Sequence, residues 1–264
     1  MKTDETKKVV LCFSGFDPCG GAGIQADIEA IASHACHAVS VITALTVQNT
    51  CGVTNYQSVS ANLVIQQARS VLEDMQVQAI KIGMLGSAEV AEAVHSLLMD
   101  YPQIPVIFDP VLAAGGGESL AQENLRDVMT KMIMPLCKII TPNTLEAKQL
   151  ALHGDNDNAR AIELLDMGCE YVLLTGTHAQ SENVVHKLFS NNRCLQTYMY
   201  ERLPHEYHGS GCTLAASLAS FLVQGHEVVS ACHAALDYTY KTLQHAQPLG
   251  MGQLMPERFF WTVK

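Results

Sequence analysis

Along this chain short apolar runs alternate with longer segments in which apolar positions recur at helical spacing. The runs at 9–13, 39–43, 79–82, 106–108, 138–140 and 171–174 are each bounded by turn chemistry or a polar residue, which predicts buried strands. Segments 22–35, 62–73, 88–99, 122–132, 145–152 and 159–167 carry the helical pattern and fall between those runs. This alternation predicts an α/β architecture, a mostly parallel central sheet with helices on both faces. Residues 184–189 and 194–200 flank Ser190-Asn191-Asn192-Arg193 and predict a terminal antiparallel hairpin. Helices at 212–223 and 227–245 follow, and 53–60 reads as one more strand, part of a small flap.

A chain of 264 residues could form one large domain or two small ones, since length sets only a soft prior of roughly 100–200 residues per domain. The absence of an internal repeat or low-complexity linker makes one domain over 1–264 the simplest expectation. Segment 113–118, with three consecutive glycines, reads as a loop rather than a boundary.

Hydrophobic residues at 48% and charged residues at 16% describe a packed protein rather than a disordered one. The formal charge of −10 argues against a nucleic-acid surface, which needs a basic stripe to neutralise phosphates. An anionic ligand would instead be held locally, by backbone amides, helix N-termini or a metal ion. Stretch 28–47 contains Glu29, His34 and His37 and changes period midway, which excludes a good membrane span. Nine cysteines, an odd count in a chain too long to need staples and without a secretory signal, read as reduced thiols in the cytoplasm. The cluster His34-Ala35-Cys36-His37 reads as packing rather than zinc ligation, because structural zinc sites combine spaced ligand pairs.

Two glycine-rich segments carry the candidate chemistry. Gly15 to Gly23 follows the first strand and opens the first helix, so a ligand can approach its backbone closely. Gly15 and Gly20 have P-loop spacing, but Gly21-Ala22 stands where Lys-Ser/Thr is required. Residues 21–26 match a dinucleotide fingerprint, yet no Asp or Glu lies between Glu29 and Glu73 to hold a ribose. A tight turn without a ligand stays open for this segment. Gly209-Ser210-Gly211-Cys212-Thr213 precedes a helix of small apolar residues, so its amides can form an anion hole at the positive end of the helix dipole. The same field would lower the Cys212 thiol from about 8.5 toward neutrality and make it a general base. The alternative is a glycine-rich turn beside a buried cysteine.

With these segments stand Ser14-Gly15-Phe16-Asp17-Pro18, residues 21–27, residues 40–50, Lys81-Ile82-Gly83-Met84-Leu85, Asp109-Pro110-Val111 and residues 141–147. In that order, from residue 9 to about 223, the blocks resemble the ribokinase-like kinases, and among them the hydroxymethylpyrimidine/phosphomethylpyrimidine kinases of thiamine synthesis.

The resemblance implies a ribokinase-like three-layer sandwich. It also implies transfer of the γ-phosphoryl of ATP, with Mg²⁺, to the hydroxymethyl group of an aminopyrimidine, and then to the monophosphate. By that resemblance Cys212 is the proton acceptor, and Gly209, Ser210 and Gly211 supply the anion hole. Asn143 and Glu146 match an Asn-x-x-Glu pattern that arranges Mg²⁺ and its waters, whereas alone they read as a helix cap with a first-turn acid. Asp109, at a strand's carboxyl end, joins that network, and Thr175 and Gly176 lie on the nucleotide side. Gln48 resembles the pyrimidine-binding glutamine, its amide offering the donor and acceptor that an exocyclic NH₂ and ring nitrogen need. Gly23, Met84 and Val111 would complete the ring pocket, although the last two would ordinarily be read as core. A homodimer with 53–60 as a contact is a further implication. The chain departs from the family pattern at 113–118 and at Thr175-Gly176-Thr177-His178. Two other readings compete: a pyridoxal kinase using the same site, and a ligand-sensing protein that kept the pocket without efficient turnover.

Overall fold

The structure, a computed structural model, describes residues 7–112, 123–177 and 182–262. Among the described residues nine strands form one sheet: β1 (Val9–Phe16), β2 (His37–Asn49), β3 (Gly52–Ser58), β4 (Val77–Ile82), β5 (Val106–Phe108), β6 (Ile139–Ile140), β7 (Tyr171–Leu174), β8 (Asn183–Ser190) and β9 (Arg193–Glu201). Their order is β3-β2-β1-β4-β5-β6-β7-β8-β9. The six strands from β2 to β7 across the centre pair in parallel, while β3, β8 and β9 are antiparallel additions.

Helices α1 (Gly23–Ser33), α2 (Ala61–Asp74), α3 (Ala88–Asp100), α4 (Glu123–Val128), α5 (Thr144–Leu150), α6 (Asp157–Asp166), α7 (Ser210–Val223) and α8 (Val228–Gln244) cover the two faces. The period-2 alternation of the strands divides the core between them. Leu11, Phe13, Ile80, Ile82 and Phe108 face α2 through α6, whereas Val10, Cys12, Ala79, Ile107 and Leu173 face α1, α7 and α8. The three-layer arrangement expected from the alternation is therefore present.

Several boundaries differ from expectation. β2 runs on to Asn49 because it also pairs antiparallel with β3 beyond the parallel sheet, which makes the 52–58 segment an edge strand of the main sheet. The helix expected at 122–132 is α only to Val128; a π turn at Met129–Ile133 and a 3₁₀ turn at Met134–Leu136 follow, the latter holding Pro135, which cannot donate to a continued helix. The β8–β9 hairpin turns through Asn191 and Asn192, both left-handed with φ of 49° and 56°, a conformation asparagine tolerates. His34 packs on Phe221 and Tyr238 with its Nε2 2.7 Å from Ser217 Oγ, and burial lowers its pKa to about 4, as a packing residue would require. The loop expected at 113–118 lies outside the described residues. Among the described residues no helix is long and apolar enough to cross a membrane.

One polar group interrupts the apolar layer under α7. Lys81 on β4 is fully buried, with its ammonium 2.9 Å from Asp27 of α1 and 3.1 Å from Ser14 Oγ of β1. Ser14 in turn donates to Asp27 at 2.5 Å. Burial alone would depress the lysine, but Asp27, then Cys212 and Asp109, outweigh it and hold Lys81 well above its usual range. Breaking such a pair leaves an uncompensated charge. Lys81→Met is therefore expected to cost about 3–5 kcal/mol in urea denaturation, with Lys81→Met/Asp27→Asn recovering part of the loss. Equal losses in the single and double variants would assign the cost to packing instead.

Candidate active site

The carboxyl ends of the parallel strands converge on a cleft of about 540 Å³. Loops leaving β1, β4, β5, β6 and β7 bring Gly15 and Gly23, Met84, Asp109 and Val111, Asn143 and Glu146, and Thr175 to its walls. Gln48 reaches it from β2, at a register shift between Val47 and Gln48. Gly209, Ser210, Gly211 and Cys212 close it from the N-terminus of α7. Of the expected site residues only Gly176 does not line the cleft; it sits against the Val185 carbonyl of β8, where a Cβ would collide.

The glycine-rich start of α7 depends on a backbone approach. Gly209 caps α7 in the left-handed region, φ 78°, and its α-carbon packs so closely on the Gly21 carbonyl that a Cβ would overlap it. Only glycine meets both demands at no steric cost. The first amides of α7 have no acceptor within the helix and are available to an anion. Thr213 locks this turn by donating from its hydroxyl to the Gly209 carbonyl at 2.8 Å.

Cys212 is half-buried on the cleft floor, and its sulfur accepts from the Gly23 amide. Its ionisation corrects the expected low value. Burial pushes the thiol up; Lys81 pulls it down, but Asp109 and Asp27 push it up again, to about 11. Desolvation and the two carboxylates outweigh Lys81 and the Gly23 amide, so the resting residue is a thiol.

Asn143 and Glu146 form a capping box on α5. The Asn143 side chain accepts from the amides of Leu145 and Glu146 at 2.9 Å each, and Glu146 accepts from the Asn143 amide at 2.8 Å. Their local role is the helix cap. Both nevertheless line the cleft, and Glu146 also accepts from the Leu112 amide. Burial raises the pKa of Glu146 and of Asp109, and the negative charge of Asp109 raises Glu146 further; Lys81 partly relieves Asp109. Thr141 donates to Asp109 at 3.4 Å. Thr175 is fixed by its backbone N–H, which donates to the Pro142 carbonyl at 2.9 Å.

Sequence reasoning missed the residues that hold these loops. Asp17 accepts from the amides of Cys19 and Ala22 and lies 2.9 Å from His208 Nε2. Burial opposes its ionisation, yet these hydrogen bonds win and keep its carboxyl below the usual range. Arg258 is buried and spans three elements, donating to the Gly21 carbonyl, to Thr213 Oγ1 at 2.9 Å and to Glu29 at 2.9 Å. Lys81 had a visible signal, a lone charge within an apolar strand. Arg258 had none, because its partners are remote in sequence.

A family model described as phosphomethylpyrimidine kinase matches residues 17–257. The hydroxymethylpyrimidine/phosphomethylpyrimidine kinase of Staphylococcus aureus strain MSSA476 is 30% identical over 252 residues, covering 93% of this chain and 91% of that protein. A crystal structure of phosphomethylpyrimidine kinase from Clostridium difficile 630 is similar with a TM-score of 0.77 and 31% identity, covering 89% of this chain and 98% of that one. An ADP complex of Bacillus subtilis pyridoxal kinase gives a TM-score of 0.88 at 24% identity, covering 98% of this chain and 100% of that one, which is a shared fold.

Proposed function

This chain belongs to the phosphomethylpyrimidine kinase family, and we propose a division of labour for its cleft in which Gln48 holds the pyrimidine and the α7 terminus receives the phosphoryl group. The protein is a phosphotransferase with a ribokinase-like fold. Its reaction is the ATP-dependent phosphorylation of 4-amino-5-hydroxymethyl-2-methylpyrimidine and its monophosphate in thiamine diphosphate synthesis. The observation that carries the division is that Gln48 and the glycine-rich terminus of α7 line one cleft from different elements. Gln48 pairs its donor and acceptor with the aminopyrimidine edge, while Met84, Val111 and Gly23 bound the ring. The amides of Gly209 through Cys212 hold the transferring phosphoryl, and Cys212 accepts the hydroxyl proton. Catalysis is chiefly positioning and charge stabilisation.

Asp109 and Glu146 supply hard oxygen donors of the kind Mg²⁺ prefers, and their mutual repulsion is a charge excess that a cation relieves. Asn143 and Glu146 would hold Mg²⁺ through waters beside Asp109, and the ion would neutralise charge on the nucleotide phosphates. ATP phosphates then lie toward Thr175, where Asn143 and Thr175 form a bridge. The reading includes one domain, supported by the continuous nine-stranded sheet, and a reducing compartment such as the cytoplasm, supported by nine free cysteines. It also includes a homodimer, supported by the open outer edge of β3 and the exposed Leu45 and Val47 beside it. The reading includes no nucleic-acid partner, supported by the charge of −10.

Three outcomes test this assignment. A base whose pKa is raised to about 11 acts in its minority thiolate form, so kcat should climb as pH rises from 7 toward 9. Cys212→Ser should flatten that climb and lower kcat by roughly 10²–10⁴-fold. A flat wild-type profile, or wild-type turnover in a folded Cys212→Ser protein, removes the thiolate from the mechanism. Asn143→Ala and Glu146→Ala should each raise the Mg²⁺ concentration needed for half-maximal rate and slow transfer. Loss of a cap alone, about 0.5–2 kcal/mol of stability with an unchanged Mg²⁺ requirement, would leave only the structural role. Finally, kcat/KM should be higher for hydroxymethylpyrimidine than for pyridoxal, and Gln48→Leu should shrink the difference, since an unsuitable ligand leaves buried polar groups unpaired. Pyridoxal preference unaffected by Gln48→Leu would overturn the pyrimidine assignment, and absence of ATP turnover with either alcohol would favour a sensor.

A further inference from the structure

Where the loop after β1 meets the segment before α7, Asp17, Cys19 and His208 bring together three donor atoms, all within 4.8 Å of one another. Asp17 and His208 are buried and Cys19 is half-buried. His208 Nε2 lies 2.9 Å from one Asp17 oxygen, and Cys19 Sγ lies 3.0 Å from the other. A nitrogen, a sulfur and an oxygen suit zinc and related borderline cations, whereas magnesium takes oxygen ligands.

The three groups are positioned by the surrounding backbone. The amides of Cys19 and Ala22 orient the Asp17 carboxylate at 2.9 and 2.8 Å. The His208 amide donates to the Leu254 carbonyl at 2.9 Å, anchoring the other side. Gly21 leaves room between them, since a Cβ there would overlap the His208 ring and the Met255 sulfur. Such preorganisation lowers the ordering cost of binding. His208 also borders the cleft, which provides a route for an ion.

We propose that Asp17, Cys19 and His208 form a site for a zinc-like divalent cation, separate from the magnesium-nucleotide site. The ion coordinates the Asp17 carboxylate, the Cys19 thiolate and His208 Nε2. The Cys19 thiol gives up its proton to solvent, and the imidazole proton that faces the Asp17 carboxylate on Nε2 is exchanged through solvent to Nδ1, so a neutral imidazole and two anionic ligands balance the dication. An ion here joins the loop after β1 to the segment entering α7.

The test uses the full chain, treated with chelator and titrated with Co²⁺ in buffer containing excess Mg²⁺. A one-to-one complex with a thiolate-to-cobalt charge-transfer band, displaced by Zn²⁺, is the expected result. Cys19→Ser should lose that band, and His208→Gln, which removes a direct ligand, should weaken Co²⁺ binding by more than the roughly 10–100-fold seen when only the partners of the ligands are altered. Because ligands that bind only the native state stabilise it, Zn²⁺ should raise the Tm of the wild type and not of Cys19→Ser. Cys19 is the least buried of the three, which makes its serine variant the better control if His208→Gln fails to fold. An unchanged charge-transfer band in Cys19→Ser would place the ion on another thiol and overturn the proposal. So would a spectrum without thiolate ligation in the wild type, which would identify the trio as a hydrogen-bonded cluster only. Kinase activity is measured separately, so either outcome leaves the family assignment standing.

Discussion

The contact between the Gly21 carbonyl and the Gly209 α-carbon governs this active site. It joins two glycine-rich loops, one after the first strand and one before the seventh helix, without a side chain between them. A methyl group at Gly209 would overlap the Gly21 carbonyl, and one at Gly21 would overlap the His208 ring and the Met255 sulfur. The contact is held from outside by Arg258, which binds the Gly21 carbonyl and Thr213 together, and by the Asp17–His208 pair. The machinery for an anion is thus mostly backbone, which is why a chain of charge −10 can accommodate phosphate chemistry.

Charge enters the site from below and is tightly balanced. Lys81 is the buried cation beneath the cleft, and Asp27, Asp109 and Cys212 compete for its field. Asp27 holds it at 2.9 Å, so the lysine stabilises the fold and is left with less influence on the thiol. The outcome is a protonated Cys212 at rest.

The capping box on α5 shows how local and functional roles can share residues. Asn143 and Glu146 satisfy each other's backbone groups and thereby fix the direction in which the helix leaves β6. The same bonds set a buried carboxyl beside Asp109 on the cleft wall. A residue pair that ends a strand and starts a helix consequently also carries oxygen donors on the cleft wall.

The alternation of apolar runs and helical periods was enough to determine the layered α/β architecture, and the blocks around Gln48, Asp109, Asn143 and Cys212 were enough to determine the family. Periodicity reports which face is buried, and contiguous motifs carry their own local geometry, so both survive in one dimension. Tertiary structure alone decided that β2 continues into an antiparallel edge with β3, that Gly176 backs onto the Val185 carbonyl, and that the Cys212 thiol is pushed up rather than down. It alone brought Arg258 to Gly21 and His208 to Asp17. Each of these depends on solvent exclusion or on partners contributed by remote segments. A helix dipole can be inferred from spacing, but the desolvation and the two carboxylates that push the Cys212 thiol up exist only once β1, β4, β5, α1 and α7 have packed.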